Sequence, residues 1–156
     1  MPDADTTIRL LRRLLLGLLL LGLLGIGAEL VLMRHYEDLW QWIPLIVMAL
    51  ALATIGWHLI SQSGASVRAL QFVMSLFVAA GGLGVVLHYR ASLGFQLESG
   101  SAPSGWPLFV KVIHSKVPPA LAPGALAQLG LLGLAYAFRH PALSRSSSQS
   151  TETQIR

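Results

Sequence analysis

Four stretches of this chain carry no formal charge. They are Leu14 to Ala28, inside an apolar pattern running from Leu10 to about Met33; Trp42 to Ile60; Ala69 to Leu87; and Val117 to Phe138. About 20 apolar residues carry an α-helix across the ~30 Å hydrocarbon layer of a bilayer. Lipid offers backbone amides no partner, so such segments cross as helices. The pattern predicts an all-α integral membrane protein, a bundle of four transmembrane helices at about 10–33, 42–60, 68–88 and 118–138. Together they make one membrane domain over 10–140. Residues 1–9 read as a short cytoplasmic segment, and the serine-rich 141–156 as a disordered cytoplasmic tail with nothing to bury.

A second reading of the first run is a signal peptide. Arg9, Arg12 and Arg13 would be its basic region, Leu14 to Ile26 its apolar core, and Gly25-Ile26-Gly27 its cleavage site. If the run is retained, the positive-inside rule sets the orientation. An inside N-terminus places Arg9, Arg12, Arg13, Arg68, Arg139, Arg145 and Arg156 in the cytoplasm, with only Arg34, Arg90, Lys111 and Lys116 outside. Both termini then face the cytoplasm, as expected of a multi-pass protein of the bacterial inner membrane.

Composition removes several function classes. Cysteine is absent, which excludes disulfide scaffolds, thiolate metal sites and small membrane oxidoreductases that shuttle disulfides. The net charge of +4 comes from arginines at the ends of apolar runs, a membrane-topology signal rather than a nucleic-acid surface. Neither a phosphate-binding glycine loop nor a nucleophile elbow is present.

Polar chemistry concentrates on the expected outer side, around GAELVLMRHYEDLWQW. Glu29 lies near the outer edge of the hydrocarbon, where an unpaired carboxylate costs roughly 2–3 kcal/mol. Gly22, Gly25 and Glu29 fall at i, i+3 and i+7 on the first helix, and Gly81, Gly84 and His88 repeat that spacing on the third. Glycine faces permit close approach, so helices one and three are expected to touch along them and to bring Glu29 to His88. Packing glue is the plainer role for such a pair; proton exchange is the functional one.

His35, Glu37, Asp38, Glu98 and His114 complete the outer set. Imidazole with carboxylate suits zinc, iron, manganese or copper, but no pair shows a fixed ligand spacing. No cofactor is predicted; metal or haem is the alternative, with His35/His88 outside and His58/His140 inside as axial pairs. An acid on the first of four helices resembles the small multidrug exporters, in which it couples protons to cations; the resemblance covers helix count and one acid. Here the acid sits near the outer end, and the outer loop, 89–117, is long. Within that loop, Trp106, Phe109, Val110 and Ile113 share a face and predict a short interfacial helix over Trp106–His114. The fourth span is rich in alanine and glycine, suited to packing against another membrane protein or a second copy. The expected partners are therefore the bilayer and a protein helix, with no nucleic acid. The functional expectation is an accessory, assembly or interaction subunit without catalysis of its own.

Overall fold

The computed structural model describes residues 3–98, 103–114 and 121–144. Its elements are α1 (Ala4–Leu32), a 3-10 turn (Leu39–Gln41), α2 (Trp42–Ser61), α3 (Gly64–Glu98), α4 (Trp106–Ile113) and α5 (Leu121–Ala137). Among the described residues, three segments are long and apolar enough to cross a membrane: Ala4–Leu32, Leu39–Ser61 and Gly64–Glu98. The apolar α5 is shorter, at 17 residues. The expected fourth span began at 118, and residues 115–120 lie outside the described set.

Helix ends differ from those read off the charges. α1 already begins at Ala4, and α3 runs from Gly64 to Glu98 rather than over 68–88. The early part of the predicted outer loop 89–117 is therefore helix. An uncharged run locates the part of a helix that lipid tolerates, not the part that the backbone tolerates. RASLGFQLE, from Arg90 to Glu98, contains no proline, and helix propensity carries the rod onward. Of the tail, Pro141 to Ser144 form one helical turn; its remainder lies outside the described residues.

α3 is the spine. It packs along α5 on one side and α2 on the other, while α1 leans mainly on α5. Phe77, Met74 and Leu70 of α3 are fully buried, as are Leu19 and Leu23 of α1. The expected meeting of α1 and α3 along their glycines is replaced by α5, which takes both faces. A Cβ on Gly81 would lie 2.7 Å from the Pro123 carbonyl oxygen and from Ala127 Cβ; one on Gly84 would lie 2.9 Å from Pro123 Cβ. Gly22 faces Leu129 of α5, and Gly25 meets nothing within 4 Å. The reason is reciprocal size. α5 offers its own glycine, Gly130, whose Cβ would lie 2.7 Å from the Met74 carbonyl oxygen. Two small faces gain most dispersion contact where lipid supplies no hydrophobic drive.

The short helix expected over Trp106–His114 is present as α4, with His114 at its C-cap. Its buried residue is Val112, turned toward α3. Trp106 stays 72% exposed, with Phe109 and Val110 beside it. Trp106 therefore points away from the protein, while the Phe109 ring meets Tyr89 of α3 with centroids 6.0 Å apart.

Candidate functional site

Polar side chains gather at two opposite ends of the bundle, and an apolar groove lies between α2 and α3. At the loop end, α1 closes in a Schellman turn. Arg34 takes the left-handed conformation (φ 53); its N–H donates to Val31 O at 3.1 Å, and the His35 N–H to Leu30 O at 2.8 Å. The reversal swings His35 off the helix and against α3. Its ring lies near-parallel to that of His88, with centroids 6.5 Å apart and planes 8° apart.

His88 therefore faces His35 rather than Glu29. A regular helix would keep His35 on a different face from Glu29, but α1 ends before His35 is reached. Glu29 is exposed, and no hydrogen bond joins it to His88 among the described residues. Burial, and then the neighbouring His88, hold the His35 imidazole below its ordinary pKa. The backbone N–H groups of Glu37 and Asp38 donate to Gln41 Oε1 at 2.9 and 3.3 Å, and both side chains are exposed. His114 Nδ1–H donates to Val110 O of its own helix at 3.0 Å. Among the described residues no group of three histidine or carboxylate side chains converges on a point that could hold a metal.

The terminal end holds the better-built cluster. His58, 3% exposed, sits in the last turn of α2. Its Nδ1 is 2.9 Å from Ser66 Oγ on α3, and its Nε2 is 2.9 Å from the Tyr136 hydroxyl on α5. Ser66 already donates its one hydroxyl proton to Ser63 O, at 2.8 Å. Its oxygen must therefore accept from Nδ1–H, which leaves Nε2 to accept from Tyr136 O–H. A single directed chain results, from Tyr136 through His58 and Ser66 to Ser63, tying three helices together. The His140 ring lies edge-on to His58 at 5.0 Å. With both ring nitrogens of His58 engaged, an axial-ligand role would have to break one of these bonds.

α1 joins this end through Arg12. Its guanidinium donates to the carbonyls of Phe138 and Arg139 at 3.3 and 3.0 Å, and Gln71 Nε2 donates to Ala137 O at 3.3 Å. The carbonyls at and just beyond the C-terminus of α5 are thus met partly by side chains of α1 and α3, and partly by the backbone N–H groups of Phe138 and His140. No buried side-chain nitrogen or oxygen lacks a partner among the described residues.

Sequence reasoning passed over Tyr136, Ser66, Gln71 and Arg12. The signal was faint but present. Ser63-x-x-Ser66 is an N-cap spacing, and Ser63 Oγ does accept from Ser66 N–H, at 3.2 Å. His58 and Tyr136 are the polar tips inside otherwise apolar runs.

The groove is open, about 340 Å³ in volume, and is lined by Ile43, Ile46, Val47 and Leu50 of α2 and Leu76, Ala79, Ala80 and Leu83 of α3. No family model matches the chain, and neither a curated protein nor a solved structure matches it.

Proposed function

We propose that this chain is a small multi-pass protein of the bacterial inner membrane, with α5 as its fourth span and both termini cytoplasmic. In this reading it acts as an accessory, assembly or interaction subunit rather than an enzyme. The observation that carries the reading is the free face of α1. Leu14, Leu18, Leu21 and Leu24 are all more than half exposed, and Gly17 and Gly25 on the same side meet nothing within 4 Å. In water such a leucine stripe would be costly, at about 25 cal/mol per Å² of apolar surface. In lipid it costs nothing, and its open glycines admit a second helix at short range.

The native chain has no cysteine, so single cysteines report cleanly. In membranes, Leu21→Cys should cross-link to a neighbouring helix while the buried Leu23→Cys should not. Equal, background-level cross-linking at Leu14, Leu18 and Leu21 would overturn the interaction role. Reporter fusions after Ser63 and Ser150 should read cytoplasmic and one after Ser101 external; an external reading at Ser150 would overturn the four-span arrangement. A second reading, metal- or haem-linked redox or proton-coupled transport, is favoured by the approach of His35 to His88. It requires bound metal or a haem absorption band in the purified protein.

A further inference from the structure

We propose that the groove between α2 and α3 is a phospholipid site, with one acyl chain between the two helices and an anionic head group held by Arg90. This rests on the membrane reading above and goes beyond it.

The groove is made by two helical stripes, Ile43 to Leu50 and Leu76 to Leu83, each advancing by three or four residues. Seven residues of rise make it about 10 Å long, most of one ~15 Å leaflet. Val47, 6% exposed, lies deepest in the groove, and Ala79 and Ala80 keep the α3 wall shallow because their side chains are small. A hydrocarbon chain matches these walls in chemistry, since all eight lining side chains are apolar. Trp42, exposed beside Ile43, sets the upper end of the groove at the membrane interface, where tryptophan concentrates.

The chemistry above the groove selects the head group. Arg90 lies seven residues beyond Leu83, two helical turns on, and therefore on the same stripe of α3, about 10 Å higher. It is exposed, and its guanidinium meets no partner among the described residues. A guanidinium fork matches a phosphate in two parallel hydrogen bonds, and a head group with no cation of its own leaves that phosphate charge for the arginine to neutralise. An apolar slot about 10 Å long, topped on its own helix face by an unengaged arginine, has the shape and charge order of one anionic phospholipid.

The test uses the full chain in neutral detergent. Phosphatidylglycerol or phosphatidylcholine with identical chains is added, and retained lipid is counted by native mass spectrometry. Phosphatidylglycerol should be retained about 5-fold better, the ratio given by ~1 kcal/mol for one arginine beside an anionic surface. Arg90→Gln should reduce that retention to the phosphatidylcholine level. Ala79→Leu, which puts a larger side chain into the groove from the α3 wall, should lower retention of both lipids, and Leu52→Phe on the opposite face of α2 should lower neither. Glycerol 3-phosphate alone should not be retained. Equal retention of the two lipids by the unmodified chain, or unchanged retention in Ala79→Leu, would overturn the proposal. Either result leaves the membrane reading standing, since the reporter fusions test that separately.

Discussion

Gly81 and Gly82 are neighbours on α3, and the structure assigns them opposite responses to one added methyl group. A Cβ on Gly82 meets nothing within 4 Å, whereas one on Gly81 would sit 2.7 Å from Ala127 Cβ, 2.7 Å from Pro123 O and 2.8 Å from Ala127 N. Carbon atoms rest at about 3.5–4.0 Å, so α3 and α5 would have to part by about 1 Å. Two of the three obstructing atoms are α5 backbone, and no change of rotamer relieves them. Overpacking of this kind costs about 1–3 kcal/mol, against a helix-propensity gain of about 0.5–1 kcal/mol for replacing glycine by alanine. Gly81→Ala should therefore lose about 1–2 kcal/mol, and Gly82→Ala should be neutral or slightly stabilising. Reversible unfolding in mixed micelles, followed by tryptophan fluorescence, measures both. Equal stability of the two variants would show that α5 does not seat on the Gly81 face, and the reasoning about small faces would fail with it.

Other outcomes follow from single contacts. His58→Phe strands the Tyr136 hydroxyl in the core and should cost about 1–3 kcal/mol, with Tyr136→Phe milder and the double variant less than additive in the same assay. Arg34→Gly relieves a left-handed residue at the end of α1 and should stabilise by up to about 1 kcal/mol; a loss instead would mean that the Arg34 side chain matters more than its backbone. Because His35 binds its proton less readily in the folded chain than in the unfolded one, stability is full above about pH 6.5 and falls as pH drops below it. Denaturation midpoints across that window should show the fall, and His88→Gln should shrink it without removing the part due to burial.

The helical class and the three helices long and apolar enough to cross a membrane could be read from charge-free runs, because lipid punishes charge wherever it occurs. α4 was legible because Trp106, Phe109 and Val110 repeat at helical spacing. Helix ends were not legible: Arg90 stops a membrane run but not a helix, and α3 continues to Glu98. The partner of His88 was hidden for a local reason. A left-handed arginine, not a glycine, ends α1, so nothing in RHYED announced that His35 would turn back. The glycine faces were visible, but not which helix would fill them, since α1, α3 and α5 all carry small residues. The buried His58 chain depends on Tyr136, 78 positions away, a distance across which no local pattern speaks.

α3 is 35 residues long without interruption, about 52 Å of rod. It carries Ser66 near one end and His88 toward the other, about 33 Å apart. A rigid tilt of only about 5° about one of these points moves the other by about 3 Å, the length of a hydrogen bond. The helix is thus a lever, in which a small rotation at one end becomes a bond-length movement at the other. A displacement at the His35–His88 contact is carried along one unbroken helix to the Ser66–His58 bond, so the two polar ends of the bundle are mechanically one element.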